Sequence, residues 1–265
     1  MVRNIAPYVT DAMKSLRETT SASRKVSGQH TRRSRLQRVG RIIVVLWIVG
    51  FIAFLVIVKL LQESSFGPLQ RAAQNGDLPA VKSLIEQGTP VDHPCDFNRW
   101  TALHAAAHKG NVEIAEYLLK QGANVDVKDK DGYTPLHNTA DSFLKGFPRK
   151  RTEADRNRIA ALLLKYGAHV NATINHGDTP LHRAAITNNV ALVQLLLENG
   201  ADPNIQQSQG MTPLHFALGA GKDRVQVVHL LLAHGADSSS TDEYGRTATD
   251  NAKLYHPKLL ELLGE

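Results

Sequence analysis

The chain has 265 residues, of which 42% are hydrophobic, and a formal net charge of +6, so it is long and apolar enough to bury a sizeable core. Its single cysteine, Cys95, excludes an intramolecular disulfide, which leaves packing to hold the fold in either a reducing or an oxidising compartment. Residues 1–41 hold ten Lys and Arg against two Asp and Glu, whereas residues 42–265 hold 21 against 23, and no nucleic-acid interface is predicted in this slightly acidic remainder.

Residues 1–41 are predicted to be a basic, largely disordered tail. The stretch from Thr19 to Thr31 is rich in Ser, Thr and basic residues, which disfavours a packed core. Apolar residues recur at helical spacing between Val9 and Leu16, which fits a weakly helical tail or, alternatively, a short amphipathic helix on a membrane surface.

Residues 42–61 predict a transmembrane helix. Ile42 to Val58 contains no charged residue, and the extension through Leu61 gives 20 residues. At 1.5 Å per residue this is about 30 Å, the thickness of a bilayer's hydrocarbon core. Lys59 lies near the end of the segment, where its side chain can reach the interface.

The charges that flank residues 42–61 predict the orientation. Five arginines precede this segment closely: Arg32, Arg33, Arg35, Arg38 and Arg41. Because cytoplasmic flanks carry the excess of Lys and Arg, the tail is predicted to be cytoplasmic and residues 66–265 extracytoplasmic, behind an uncleaved signal anchor. The opposite orientation, with residues 66–265 in the cytosol, remains an alternative. The pattern at Thr31–Leu36 also resembles a twin-arginine signal, but ordinary orienting charges explain it as well.

A repeated unit occupies the remainder of the chain. The leucine of a T-P-L-H stretch recurs at Leu69, Leu103, Leu136, Leu181 and Leu214, with spacings of 34, 33, 45 and 33 residues. In the clearest copy, Thr179 is a helix N-cap, Pro180 occupies the first helical position and Asn188 and Asn189 end the helix. A second apolar stripe, Val190 to Leu197, precedes Gly200, which suits a left-handed helix terminus. A period of about 33 residues indicates stacked helical hairpins.

The motifs G-x-T-P-L-H, at 132–137, 177–182 and 210–215, and L-L-x-x-G-A, at 118–123, 196–201 and 231–236, resemble those of ankyrin-repeat proteins. The resemblance implies an all-α ankyrin-repeat solenoid of about five to six helix-turn-helix repeats over residues 66–265, and the apolar segment 42–61 places one transmembrane helix before it. The sequence departs from the pattern at Gln70, which replaces the His, at Arg99, which replaces the turn glycine, and at Thr249-Asp250, which replace Leu-His. Twelve extra residues separate the helices of repeat three.

The resemblance also implies a protein-binding scaffold, neither an enzyme nor a cofactor protein, with contacts at the hairpin tips and the ends of the first helices. Trp100 and Tyr133 are predicted as an aromatic anchor, with packing on the neighbouring turn as the equal alternative. The complete predicted contact set is Asn98, Trp100, His108, Lys109, Asp131, Tyr133, His176, Asp178, Ile186, Gln209 and Met211. The partner is a protein of unknown identity, and no small-molecule substrate is predicted.

Twelve histidines raise a second hypothesis, an extracytoplasmic metal protein or enzyme. His104 and His108 lie four residues apart, as in HExxH zinc sites, but Ala105 replaces the catalytic Glu. His104, His137, His182 and His215 occupy the T-P-L-H position, where the resemblance implies hydrogen bonds within the turn and between repeats. No nucleophile-base motif or phosphate-binding loop is present.

Two further segments carry open interpretations. The insertion of repeat three, roughly residues 142–157, contains Lys145, Arg149, Lys150 and Arg151 with two phenylalanines, and predicts either a partner-binding loop or a solvated charged loop. Asn171-Ala172-Thr173 matches the N-glycosylation pattern, which matters only if this part of the chain enters a eukaryotic lumen.

Overall fold

The computed structural model describes residues 67–95, 98–140, 152–219, 224–255 and 260. The chain divides into two compact units, residues 1–60 and 61–265, and all described residues belong to the second. The described helices are α1 (Pro68–Asn75), α2 (Leu78–Glu86), α3 (Ala102–Lys109), α4 (Val112–Lys120), α5 (Pro135–Ala140), α6 (Glu153–Lys165), α7 (Pro180–Thr187), α8 (Val190–Glu198), α9 (Pro213–Ala217), α10 (Val225–Ala233) and α11 (Ala248–Tyr255).

The first helix of the clearest hairpin begins where its sequence provides a cap. In α7, Thr179 is extended and its side chain accepts a hydrogen bond from the His182 N–H, while Pro180 lacks the N–H that would be unpaired there. The helix ends at Asn188, which adopts the left-handed conformation with φ 56°. The N-cap at Thr179 and the helix end at Asn188 are therefore confirmed.

The second helices begin at a polar cap and end before a glycine. In α8, Asn189 Oδ1 accepts from the Leu192 N–H at 3.0 Å. Gly200 follows the helix with φ +84°, a conformation that costs glycine little because it has no Cβ. Equivalent glycines with positive φ follow α2, α4, α6 and α10, so one turn chemistry closes every second helix in the described part of the chain.

The hairpins stack in two layers. First helices contact the first helices of adjacent repeats, second helices contact second helices, and the two helices of each hairpin contact one another. The shared interior consists mainly of Leu, Ala and Val, and the repeated leucines at 69, 103, 136, 181 and 214 are all at most 1% exposed. Because each hairpin covers the apolar face of the next, this core continues from repeat to repeat.

The predicted all-α fold is confirmed for the described residues, in which the only β feature is an isolated bridge between Thr241 and Thr247. One boundary was wrong. The insertion predicted over residues 142–157 ends earlier, because α6 begins at Glu153 with Thr152 as its N-cap, and the Thr152 side chain accepts from the Asp155 N–H. The extra chain between α5 and α6 is thus shorter than its sequence pattern suggested.

The predicted tail and membrane segment, residues 1–41 and 42–61 with the orienting arginines, lie outside the described residues. Among the residues that are described, no helix has both the length and the apolar character needed to cross a bilayer.

A pair of glycine substitutions tests the close approach of neighbouring repeats. A Cβ at Gly177 (φ +88°) would lie 3.0 Å from Gln207 Cα, whereas one at Gly200 (φ +84°) would meet nothing within 4 Å. Gly200→Ala should therefore cost only the left-handed backbone penalty, about 1–2 kcal/mol. Gly177→Ala adds the steric overlap and should reduce the free energy of unfolding by clearly more, as measured by urea titration. Equal losses in the two variants would contradict this packing.

Candidate protein-binding surface

Several hairpin tips are tight turns stabilised by a side chain at their base, although Ile174 occupies that position in repeat four. In repeat three, Asp129 Oδ1 accepts from the backbone N–H groups of Asp131 (2.9 Å) and Tyr133 (2.8 Å), and the Asp129 N–H donates to the Tyr133 carbonyl at 2.9 Å. Asp242 plays the same part in the last tip, where it accepts from Tyr244 and Arg246. In these turns the carboxylate oxygen takes the place of water as the acceptor for the backbone N–H groups. The bonds fix the turn conformation and hold the residues at the tip in place.

A backbone ladder joins each tip to the next. The Lys130 N–H donates to the Asn98 carbonyl at 2.9 Å, and the Asn175 N–H donates to the Asp131 carbonyl at 3.0 Å. Likewise, the Ser208 N–H donates to the His176 carbonyl at 2.8 Å. The predicted contact residues Asn98, Asp131 and His176 therefore contribute their carbonyls to the ladder. The side chains of Asp131 and His176 are exposed, whereas Asn98 Oδ1 also accepts from the Trp100 N–H at 3.1 Å.

The T-P-L-H histidines connect adjacent repeats. In His182, Nδ1 accepts from the Thr179 N–H at 3.1 Å, so the ring proton lies on Nε2, which donates to the Met211 carbonyl at 3.1 Å. His104, His137 and His215 make the same pair of bonds, to the carbonyls of Tyr133, Asp178 and Arg246. We call this arrangement the imidazole tie. It confirms the role that the resemblance implied.

Burial keeps these imidazoles neutral. Loss of hydration lowers the pKa of His137 from its ordinary 6.5 to about 3 and that of His182 to about 4, and it also lowers the pKa of His104 and His215. The hydrogen bond to the next repeat acts in the opposite direction but is outweighed. A proton on Nδ1 would also remove the lone pair that accepts the hydrogen bond from the threonine N–H, and the two hydrogens would then repel one another.

At the ends of the stack, other side chains each make one part of this tie, the bond to the next repeat in one case and the helix cap in the other. Gln70 Nε2 donates to the Trp100 carbonyl at 3.3 Å and to the His93 carbonyl, which makes Gln70 the tie of the first repeat. In the last repeat, Asp250 Oδ2 accepts from the Thr247 N–H at 3.0 Å and so closes the helix cap without a ring. Both residues were recognised in the sequence only as departures, although their position in the repeat register pointed to these roles.

Trp100 and Tyr133 lie half-buried in adjacent tips. The indole Nε1–H of Trp100 donates to Asp129 Oδ2 in the next tip at 2.9 Å, and the indole stacks on His104 with centroids 6.2 Å apart. Tyr133 makes an edge contact with His137 at 5.7 Å. The rings thus contact neighbouring turns, as the packing interpretation predicted. They are also partly exposed, as the interpretation of an anchor for a partner requires.

Arg183 extends this surface into repeat four. Its guanidinium carbon lies 5.7 Å from the Tyr133 ring centroid, a cation–π distance, and its Nη1 lies 3.9 Å from Asp178 Oδ2. Both side chains of this ion pair are 12% exposed. Asp178 is consequently nearly buried and has little surface available for a partner. Arg183 was not among the predicted contacts. It directly follows the T-P-L-H histidine, and the equivalent residue of repeat two is Ala105, which gave no signal of a contact position.

The remaining predicted contacts differ in exposure. Asp131, His176 and Gln209 are exposed, and Asn98, His108, Lys109, Ile186 and Met211 are half-buried. Ile186 also has a structural role, because its carbonyl accepts from the buried Arg224 guanidinium at 3.1 Å. No motif in the sequence indicated this bond, since Arg224 follows the two extra residues of repeat five.

The histidines do not form a cluster in the described part of the chain. His104 uses both ring nitrogens in its tie, and His108 lies against Trp100, with centroids 5.4 Å apart. Within the described ranges no group of three His, Cys, Asp or Glu converges as metal ligands do. Cys95 is buried, and its thiol lies 2.8 Å from Asn98 Oδ1.

Asn171 is part of the loop structure. Its Oδ1 accepts from the Asp202 N–H at 3.0 Å, and its Nδ2 donates to the Gly200 carbonyl at 3.3 Å. Asn204 makes the matching pair one repeat later, to Asp237 and Gly235. The asparagine of the glycosylation pattern therefore joins two repeats through its amide. The basic residues 145 and 149–151 of the insertion lie outside the described residues.

Comparison with protein families agrees with this geometry. A family described as ankyrin repeats (3 copies) matches residues 69–144, and one described as ankyrin repeats (many copies) matches residues 153–197 and 181–232. The chain is an ankyrin-repeat protein. The imidazole ties and tip ladder described above are accordingly contacts between consecutive ankyrin repeats.

Curated relatives match parts of this chain, and the chain spans less than two thirds of the length of each of the three described here. The chain is 43% identical over 77 residues to mouse ankyrin repeat and SAM domain-containing protein 6, which covers 29% of this chain and 9% of that protein. It is 34% identical over 106 residues to mouse protein phosphatase 1 regulatory subunit 27, covering 40% and 63%. A Caenorhabditis elegans homolog of transient receptor potential cation channel subfamily A member 1 is 31% identical over 89 residues, covering 34% and 7%.

The neutral ties predict acid sensitivity. Because the folded-state pKa of His182 lies below its unfolded value, the unfolded chain binds the extra proton first. The stabilisation is complete above pH 6.5 and is lost as pH falls towards 4, by about 1.4 kcal/mol per pH unit for each such histidine. The free energy of unfolding should therefore fall steeply between pH 7 and 5 in urea titrations.

His182→Gln provides the control, because the amide of Gln70 already makes this tie without titrating in that range. The variant should lose less stability than the wild-type protein over the same pH interval, by about 2 kcal/mol. Parallel pH profiles for the two proteins would show that His182 is not the titrating group.

Proposed function

We propose that this protein is a membrane-anchored ankyrin scaffold that binds a protein partner through its hairpin tips and first helices. One observation carries the proposal. The residues of the repeat motif are buried and hydrogen-bonded within and between repeats, whereas Trp100 and Tyr133 remain partly exposed on the hairpin tips. Aromatic residues that are already ordered lose little entropy on binding, which makes them effective anchors.

The relatives support recognition as the shared activity. Their names include a phosphatase regulatory subunit, a channel subfamily member and a SAM domain-containing protein, and each matches this chain over 77 to 106 residues at 31% to 43% identity. Ankyrin repeats are typically interaction modules. The chain covers as little as 7% of the length of these relatives, so their own partners do not transfer to it.

The membrane part of the proposal rests on sequence. The 20 residues from 42 to 61 have the length and apolar composition of a span, and the arginines at 32–41 favour a cytoplasmic tail. In this arrangement residues 62–67 hold the first repeat close to the extracytoplasmic surface. The alternative orientation presents the same binding surface to the cytosol.

Capture of a partner tests the aromatic anchor. Full-length protein in a non-ionic detergent is compared with the Trp100→Ala/Tyr133→Ala variant, and proteins captured from detergent extracts are quantified by mass spectrometry. Hot-spot truncations cost about 2 kcal/mol or more, so capture of a genuine partner should fall at least tenfold. Tyr166→Ala, which removes a 41% exposed tyrosine at the end of α6, should leave capture intact. Equal capture by all three proteins would refute the anchor.

Protease accessibility tests the topology. In sealed vesicles of known sidedness, added protease should leave residues 66–265 intact on the lumenal side and digest them only after detergent is added. Digestion of the repeats from the cytoplasmic side of intact vesicles would overturn the orientation. Recovery of the full chain in the soluble fraction would overturn the membrane anchor itself.

A further inference from the structure

The tip of repeat two contains an arginine in a conformation that glycine adopts in the other tips. Arg99 has φ 61°, and the corresponding residues of the later tips are all glycines with positive φ: Gly132, Gly177, Gly210 and Gly245. A residue with a Cβ pays about 1–2 kcal/mol for this left-handed conformation. A glycine at this position would avoid the strain. The presence of an arginine there therefore suggests that its side chain has a function.

The neighbouring glycines show how crowded this position is. A Cβ at Gly132 would lie 2.9 Å from Asn175 Oδ1, and one at Gly210 would lie 3.0 Å from the Glu243 nitrogen. The tip of repeat two differs in length, because its base bond joins the Cys95 N–H to the Trp100 carbonyl, five residues apart, where the bond in repeat three joins residues four apart. Position 99 carries an exposed side chain in this longer tip, and the Lys130 N–H still donates to the Asn98 carbonyl at 2.9 Å.

Arg99 is exposed and directly precedes Trp100, and other cations surround the two aromatic rings. Lys130 is exposed in the adjacent tip, and Arg183 lies over the Tyr133 ring. We call Arg99, Trp100, Lys130, Tyr133 and Arg183 the aromatic–cationic patch. It combines ring surface with positive charge across three consecutive repeats.

Charge is distributed unequally between the two sides of the stack. On the described first helices and tips from α1 to α7, the side chains with surface exposure include five cations and one anion. The cations are Arg71, Arg99, Lys109, Lys128 and Lys130, and the anion is Asp131, while Asp129 is nearly buried and the Arg183–Asp178 ion pair contributes 12% exposed side chains of both signs. Asp96, in the tip of repeat two, lies outside the described residues.

The second helices from α2 to α8 and their flanking turns carry the opposite sign. Their acidic residues with surface exposure are Asp77, Glu86, Asp92, Glu113, Glu116, Asp126, Glu153, Asp155, Glu198 and Asp202. Their basic residues with surface exposure are Lys82, Lys120, Arg158 and Lys165. Since the whole of residues 42–265 is slightly acidic, the positive first-helix side is a local segregation of charge and not a consequence of composition.

We infer that the aromatic–cationic patch binds an acidic peptide segment of a partner protein, with an apolar or aromatic side chain of that segment packed against Trp100 and Tyr133. Carboxylates flanking that side chain would meet the cations on either side of the rings, and the acidic second-helix side would repel the same segment. This rests on the proposed protein-binding function and specifies the chemistry of the partner. A peptide is favoured over nucleic acid because the cations flank two partly buried aromatic rings and do not form a continuous basic track.

A labelled peptide tests the inference on the full-length chain in non-ionic detergent. The probe is a fluorescein-labelled peptide of about 15 residues in which Asp and Glu alternate with Leu and Phe, and its matched control replaces Asp and Glu by Asn and Gln. Fluorescence anisotropy should give at least tenfold tighter binding for the acidic peptide, weakening between about 50 and 300 mM NaCl as charge attraction is screened. Equal affinity for the two peptides would overturn the acidic specificity.

Arg99→Gly separates binding from stability. The substitution relieves the left-handed strain and removes one cation, so the melting temperature should rise while the Kd for the acidic peptide increases at least threefold. Adding Lys130→Gln should increase the Kd at least tenfold over the wild-type value. Lys165→Gln, which removes an exposed cation from the second-helix side, should leave the Kd within twofold. A stabilised Arg99→Gly variant with unchanged affinity would overturn the role of Arg99.

The same variants test two other ligands of the aromatic–cationic patch, a nucleic acid and a second copy of this chain. A single strand of about 15 nucleotides that binds as tightly as the acidic peptide, with the same loss in Arg99→Gly, would overturn the inference in favour of nucleic acid. A doubling of mass with concentration that the Arg99→Gly/Lys130→Gln variant abolishes would overturn it in favour of a second copy of this chain. If the Trp100→Ala/Tyr133→Ala variant loses its captured partner but the peptides bind equally, only the acidic specificity fails and the scaffold stands.

Discussion

The structure depends on a neutral imidazole that satisfies two buried polar groups at once. One ring nitrogen accepts the N–H that opens a first helix, and the other donates to a carbonyl of the next repeat. A buried N–H or carbonyl without a partner costs about 1–3 kcal/mol, so a repeat that loses its imidazole leaves defects in two units. Helix initiation and repeat spacing are therefore set by the same side chain, and local and long-range order cannot be separated.

This constraint divides the residues of each repeat into two groups. Those of the T-P-L-H stretch are fully engaged in caps, core and ties, as the 0% exposure of Thr179, Leu181 and His182 shows. The residue just before the threonine supplies only a carbonyl to the tie, so the tie itself places no demand on that side chain. Trp100, Tyr133 and Met211 differ in chemistry at this one position, while the carbonyl of each accepts a hydrogen bond from the preceding repeat. The tie therefore tolerates variation at this position.

The periodic part of the fold was predictable because helix caps, apolar spacing and terminal glycines agree in most copies. Thr179, Asn188 and Gly200 have the predicted conformations. The surface was less predictable, since exposure depends on contacts between repeats that no single copy reveals. Asp178 was expected among the contact residues but is nearly buried against Arg183, and Arg183 was overlooked. Likewise, Glu153 was placed in a loop although Thr152 and Asp155 form a helix cap, a signal that was present in the sequence.

The tie between repeats three and four has a consequence for how this chain accommodates length. His137 Nε2 donates to the Asp178 carbonyl at 3.2 Å across 41 residues, whereas the other imidazole ties span 29 or 31. The register of the stack thus does not depend on the length of the segment between α5 and α6. That junction can accept a longer or foreign segment as a cassette, which makes it the natural place for grafting a sensor or a second recognition element onto the array.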